Sequence, residues 1–309
     1  MKALHTTTRA LILAIAVTAP LASAPVGAQA PAAAQPPDFS KVEIQTTQLA
    51  SNFYRFEAVG PALVGNAGIL TGPDGVLLVD AQFAQLTDKL VAAIKKVSDG
   101  RIRFLVNTHH HPDHTSGNAN IGMLGATILS RDELRAHLAS GNNPTPPAGL
   151  PVITYRGPVT IHMNGDDVQL IPVPNAHTDG DTMVYFPKAD VLMTGDFYRS
   201  IQYPNVDRNN GGSVKGVMEG LNAILALAKP TTKIVPGHGP VVDKTAIAAH
   251  LDLIVTIRNR VSALVAQGKS QEEVIAAKPL NDLDARVQQA GTTGDRFLGQ
   301  VYADLKAGK

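Results

Sequence analysis

The segment Asn107-Thr-His-His-His-Pro-Asp-His114 places four of the chain's ten histidines and an aspartate within eight residues. No other feature limits the possible folds so strongly. The β-type run Ile102-Arg-Phe-Leu-Val106 leads into it. In extended backbone, residues two apart point to the same side, so His109 and His111 can converge on one ion while His110 points elsewhere. Pro112 cannot continue a strand, and Asp113 and His114 then fall on the turn beyond it, displaced enough to address a second ion. A solvated histidine tract would need neither the strand before it, nor the interposed carboxylate, nor Gly117 after it.

A chain of 309 residues that is 44% hydrophobic can bury one large core or two small ones around such a feature. The balance of 27 Lys+Arg against 26 Asp+Glu leaves no basic surplus, so neither nucleic acid nor an anionic membrane surface is an expected partner. The absence of cysteine removes disulfides, thiolate zinc sites, a thiol nucleophile and a cysteine-linked lipid together. Any metal must be held by imidazole and carboxylate.

The N-terminus reads as a targeting segment. Lys2 and Arg9 precede an apolar run, Leu11 to Val17, that breaks at Pro20 and is too short for a stable membrane anchor. Cleavage is expected after Ala28, behind the small residues Val26-Gly27-Ala28, because a cut after Ala24 or Ala30 would leave proline beyond the scissile bond. The expected organisation is therefore a signal peptide over 1–28, a flexible mature N-terminus over 29–45, and a folded domain over 46–309 that includes C-terminal helices. Export to the periplasm or medium of a bacterium follows from that reading.

Beyond Lys41 strand and helix signals alternate. Strands are predicted over 52–59 and 68–71, with Gly72-Pro-Asp-Gly75 turning the chain into a third over 76–80, which makes a hairpin. Helical spacing of Leu90, Val91, Ile94 and Val97 predicts a helix over 86–97 ahead of the strand at 102–108. The second half gives strands near 159–162, 168–173, 183–186, 191–194 and 232–235, and helices over 213–228 and 244–267. The loop Ser140–Pro151, rich in proline and glycine, is expected to separate the two halves of one domain.

Three further segments present metal-binding residue types at the ends of predicted strands: Asn175-Ala-His177, Met193-Thr-Gly-Asp196, and Ile234-Val-Pro-Gly-His238. His137 and His250 are expected on solvated helix faces, His162 in a strand, and His110 as an outer partner or facing solvent.

In order and in kind this set resembles the metallo-β-lactamase superfamily. His109, His111, Asp113 and His114 match its His-x-His-x-Asp-His motif, and His177, Asp196 and His238 match its later ligands. The resemblance runs from about Asn52 to at least Pro240. It implies an α/β fold, a four-layer αβ/βα sandwich with metals in a groove between two sheet edges. It also implies one ion on His109, His111 and His177, another on Asp113, His114 and His238, and Asp196 between or beside them. Two zinc ions are expected, with iron or manganese as alternatives. Such a pair lowers the pKa of a shared water towards about 7, and Asp113 would orient the hydroxide that attacks a carbonyl.

By the same resemblance Arg199 stands where a cation grips a β-lactam carboxylate, and Asn209 or Asn210 where a loop asparagine faces its carbonyl. The expected activity is hydrolysis of a small molecule, a cyclic amide or ester of β-lactam type. A glyoxalase II-like thioester hydrolase and an iron-dependent sulfur dioxygenase are the alternatives. A scaffold that had lost its chemistry would typically have lost ligands, and all seven are present.

Overall fold

The computed structural model describes Met1, residues 37–141 and residues 143–308. The chain divides into two units, Met1–Pro36 and Pro37–Lys309, and the fold lies in the second. The expected signal peptide falls outside the described residues. Among the described residues no helix is long and apolar enough to cross a membrane.

Two sheets carry the fold. The first contains β1 (Glu43–Ala50), β2 (Phe53–Val59), β3 (Ala67–Leu70), β4 (Val76–Val79), β5 (Ile102–Val106), β6 (Thr127–Arg131) and β7 (Ile153–Tyr155), side by side in that order. The second contains β8 (Val159–Met163), β9 (Asp166–Pro172), β10 (Thr182–Phe186), β11 (Val191–Met193) and β12 (Lys233–Val235), again in chain order. Helices α1 (Thr87–Lys95), α2 (Pro112–Thr115), α3 (Asn118–Met123) and α4 (Asp132–Ala139) interrupt the first sheet. Helices α5 (Val214–Leu227), α6 (Lys244–Ala266), α7 (Gln271–Ala276) and α8 (Gly291–Lys306) accompany the second.

Apolar side chains sort these elements into four layers. Val79, Val106 and Leu129 from the first sheet meet Val184, Met193 and Val235 from the second in a core between the sheets. The outer face of the first sheet packs Ile69 and Leu78 against Leu90 and Ile94 of α1 and Ile121 of α3. On the far side, Tyr185 and Leu192 pack against Leu221 of α5, Ile257 of α6 and Phe297 of α8. Strands covered on both faces read as unbroken apolar runs, and every residue of β4 and of β10 is buried. The expected αβ/βα sandwich is the fold observed.

Strand direction decides where the site lies. β4 and β5 are parallel, and so are β11 and β12. β9 and β11 both run antiparallel to β10. The C-terminal ends of β9, β11 and β12 therefore share one edge of the second sheet, as those of β4 and β5 share one edge of the first. The two edges are tied: Thr182 N–H donates to Thr108 O at 2.8 Å, and Asn66 N–H to Gly237 O at 2.8 Å.

Two boundaries differ from expectation. The flexible N-terminus expected to run to residue 45 overlaps β1, which pairs in register with β2 from Glu43 onward. β1 is an edge strand with a mostly exposed burial pattern, so its polar sequence gives no alternation to read. The halves divide at residues 156–158 rather than at Ser140–Pro151, because the short strand β7 still pairs with β6.

Candidate metal centre

The loop after β5 is built by its neighbour. Asp80 follows β4 in a left-handed conformation (φ 60°) and is 1% exposed. Its carboxylate accepts from Thr108 N–H at 2.8 Å, from the Thr108 hydroxyl at 2.7 Å, and from His114 Nδ1 at 2.7 Å. Pro112 opens the short helix α2, which carries Asp113 and His114. Two glycines are fixed by close approach: a Cβ at Gly237 would overlap Asp196 Oδ1, and one at Gly65 would overlap the His114 ring.

The seven expected residues come together as two groups that share Asp196. His109, His111, His177 and Asp196 form one group able to hold a metal ion, and Asp113, His114, Asp196 and His238 form the other, with ligand atoms inside 4.8 Å of one another in each. Asp196 Oδ2 lies 3.8 Å from His109 Nε2 and 3.7 Å from His177 Nε2. Its Oδ1 lies 3.2 Å from His114 Nε2 and 3.3 Å from His238 Nε2. Asp113 Oδ2 lies 3.4 Å from His114 Nε2 and 3.1 Å from His238 Nε2, and His111 Nδ1 lies 2.9 Å from His177 Nε2.

This donor set fits divalent ions. His109 Nε2, His114 Nε2, His238 Nε2 and Asp196 Oδ1 are all shut from solvent without a hydrogen-bond partner. Orphaned buried acceptors are costly, and a coordinated cation would satisfy each of these. Two side chains keep an open face, His111 at 21% and Asp113 at 16% exposure.

Electrostatics separates the two groups when no ion is bound. Burial, followed by the neighbouring His114, holds His109 well below its ordinary value. Burial pushes His177 down to about 3 against the opposing charge of Asp196. In the other group burial is outweighed: Asp113, Asp196 and Asp80 raise His114 well above its ordinary value, and Asp196 with Asp113 raises His238. Asp196 itself stays well below the usual carboxylate range, because Arg199 and the surrounding imidazoles overcome the cost of its burial.

Outer partners complete the centre, and several were not expected from sequence. Asp207 Oδ2 meets His111 Nε2 at 2.9 Å, and the Asn205 carbonyl accepts from His177 Nδ1. A carboxylate or carbonyl behind a ligating imidazole fixes its tautomer. Asp80 had a legible signal, since it ends an apolar strand just as Asp196 does. Asp207 and Asn205 had none, being loop residues remote in sequence from the rings they hold.

Arg199, expected to grip a substrate carboxylate, is instead 8% exposed. Its Nη2 donates to Asp196 and its Nη1 to Gln202 at 3.0 Å, so its charge is used inside the protein. Asn210, expected to face the substrate, donates through Nδ2 to Asp207 at 2.6 Å and so braces the partner of His111. Asn209 is exposed beside Asp207 and Arg208, on the wall of a separate cavity of about 300 Å³.

Three other histidines also differ from expectation. The His110 ring stacks on that of His137 at 4.3 Å, and its Nδ1 is buried without a partner. His137 is no solvated helix residue, because its Nε2 meets Asp179 Oδ1 at 2.9 Å. His250 packs edge-on against Tyr198 at 5.0 Å, with Nε2 shut from solvent and unpartnered. His162 pairs with Asp167 at 2.8 Å in the exposed strand β8.

Of the ligand candidates, His111 opens onto a cleft of about 670 Å³, whose lining includes His110, Pro112, His137, Leu138 and Pro146. Its size suits a small molecule, and His111 connects it to the first ligand group.

Comparison with known proteins agrees with this geometry. A family model described as the metallo-beta-lactamase superfamily matches residues 60–238. A metallo-beta-lactamase type 2 of Bacillus sp. (strain 170) is 25% identical over 197 residues, covering 63% of this chain and 74% of the relative. The solved metallo-beta-lactamase from Pontibacter korlensis superposes with a TM-score of 0.60 at 21% identity, over 69% of this chain and 99% of its own. A stereoselective inverting sec-alkylsulfatase from Pseudomonas sp. superposes with a TM-score of 0.67 at 17% identity, over 84% of this chain and 50% of its own.

Proposed function

The chain belongs to the metallo-β-lactamase superfamily of metal-dependent hydrolases, and on that premise we propose that it is an exported dinuclear zinc enzyme that opens a cyclic amide or ester of β-lactam type. One observation carries the two-ion reading. Asp196 turns each of its oxygens towards a different set of imidazoles, Oδ2 to His109 and His177, Oδ1 to His114 and His238. Zinc is the proposed metal because an imidazole-rich, thiolate-free set suits it.

Ions held by the two groups would make a water nucleophilic at neutral pH and polarise the substrate carbonyl. The chain's own residues do the rest. Asp113, ionised and partly exposed, is placed to accept a hydrogen bond from the attacking water and orient it. Asp80, Asp207 and the Asn205 carbonyl hold three imidazoles in fixed tautomers. The apolar wall of Pro112, Leu138 and Pro146 would take the body of the substrate and exclude water from it. Because Arg199 is committed to Asp196, the proposal gives no carboxylate grip to that residue, which favours a lactone-type ester among the β-lactam-like rings.

The test is a hydrolysis screen of zinc-loaded protein against a cephalosporin, a lactone, a glutathione thioester and a secondary alkyl sulfate, with elemental analysis alongside. Two zinc ions per chain and turnover of the lactone or cephalosporin are expected. Turnover confined to the thioester or the sulfate would overturn the substrate reading, and fewer than two tightly held ions the dinuclear one. Export is tested separately: a mature chain beginning at Gln29 in the periplasm or medium is expected, and a full-length cytosolic chain would refute it.

A further inference from the structure

We propose that α8 is a positioning element for the ligand group of His109, His111 and His177, acting through the loop over residues 203–212. The proposal rests on the reading that this group holds a metal ion. Three residues of α8 at four-residue spacing, Arg296, Gln300 and Asp304, form one stripe along the helix. All three reach the loop or its far end. Arg296 Nη2 donates to Tyr203 O at 3.5 Å. Gln300 binds both backbone groups of Val206, accepting from its N–H at 3.1 Å and donating to its carbonyl at 2.8 Å, and also donates to Asn205 Oδ1 at 3.3 Å. Asp304 accepts from Arg208 Nε at 2.7 Å and from Val214 N–H at 2.6 Å.

Val206 lies between the two loop residues that touch metal-binding imidazoles. Asn205 presents its carbonyl to His177 Nδ1, and Asp207 presents Oδ2 to His111 Nε2 at 2.9 Å. The Asp207 N–H also donates to His177 O at 2.8 Å. Pinning the peptide groups of Val206 therefore fixes the aim of both outer partners.

Asp304 shows what the contact is worth to the fold. A carboxylate in the last turn of a helix faces the unfavourable end of its dipole, and this one is 2% exposed. Its two hydrogen bonds to the loop and to the start of α5 offset that cost. The other ligand group is oriented differently, His114 by Asp80 from the first sheet. α8 also lies beyond residues 60–238, the span matched by the family model.

The experiment resolves the two zinc affinities by competition with a chelator. His111→Ala and His238→Ala identify which step belongs to which group. Gln300→Leu keeps the side-chain bulk and removes its three hydrogen bonds. It should weaken the step that His111→Ala abolishes by about 3- to 10-fold, below the 10–100-fold typical of a direct outer partner, and leave the other step unchanged. Val301→Ala, in the same helix and fully buried in the apolar core, controls for lost stability. It should lower the melting temperature with both affinities intact.

Equal affinities in Gln300→Leu and wild type, or equal weakening of both steps, would overturn the proposal, and so would the same selective loss in Val301→Ala. Should Gln300→Leu not fold, Asp304→Asn replaces it with the same expected direction. A wild-type chain that binds no zinc defeats the metal reading itself, an outcome distinct from all of these.

Discussion

Asp80→Asn tests the centre at a residue that no ion would touch. In the native chain the Asp80 carboxylate faces His114 Nδ1 at 2.7 Å, which places a proton on Nδ1 and leaves the Nε2 lone pair, beside Asp113 and Asp196, to ligate an ion. Asparagine fills the same volume and can still accept from Thr108 N–H. Its amide, however, can donate to Nδ1, which moves the imidazole proton to Nε2 and blocks ligation there. Affinity of the Asp113, His114 and His238 group for zinc should fall by about 10- to 100-fold, equivalent to about 1.4–2.7 kcal/mol. The other group should lose less, because it reaches Asp80 only through the Thr108 hydroxyl, which lies 3.2 Å from His109 Nδ1. Chelator competition reads both steps, and circular dichroism checks the fold. Unchanged affinity for two ions in a folded Asp80→Asn variant would refute the tautomer argument, and equal loss at both steps would show that Asp80 acts only by holding the Thr108 loop.

Asp113→Asn removes the charge that orients the attacking water, so kcat should fall by on the order of 100-fold or more with the fold intact; near-normal turnover would assign that role elsewhere. Arg199→Gln leaves Asp196 with only the imidazoles as counter-charge, and breaking a buried ion pair costs up to about 3–5 kcal/mol. The metal-free variant should therefore melt lower than wild type, and zinc should restore more of its stability than it adds to wild type; an unchanged gap between the two states would mean that Arg199 does not neutralise Asp196. For His250, burial depresses the pKa to about 4. The unfolded ring binds its proton from about pH 6.5 downward while the folded ring does not, so stability is lost as pH falls through that window, by about 2 kcal/mol at pH 5. His250→Leu should flatten the decline in denaturant midpoint between pH 7 and pH 5, and an unaltered slope would contradict this.

Central strands were legible because burial on both faces forces an apolar run: β4, β5, β10 and β11 fall within about two residues of expectation. Edge strands were not. β1 is mostly exposed and β7 buries only Tyr155, so neither carries enough apolar patterning to stand out from the surrounding loops. The bounds of α8, one of the expected C-terminal helices, were not legible for a related reason. Its stripe of Arg296, Gln300 and Asp304 reads as a solvated face, yet that stripe is bonded to the loop beside the metal centre. A polar stripe distinguishes a helix that faces water from one that faces backbone only when the partner is known.

The same limit separates the ligands from the residues around them. All seven ligand candidates end strands or follow them closely, so local sequence both identifies and places them. Their outer partners join segments far apart in the chain, as Asp207 to His111 or Asn205 to His177, and no spacing announces such a pair. Arg199 is the instructive exception, since its partner lay three residues away. Asp196 sits in a 3-10 turn over Gly195–Phe197, and Arg199 follows just past its end, beyond the extended Tyr198, with its guanidinium turned back onto the Asp196 carboxylate. A cation placed there meets the ligand carboxylate before it can meet a substrate. Its consequence is electrostatic: Arg199 occupies Asp196 Oδ2 and leaves Oδ1 unpartnered, so the shared carboxylate offers its freer oxygen to the group of His114 and His238.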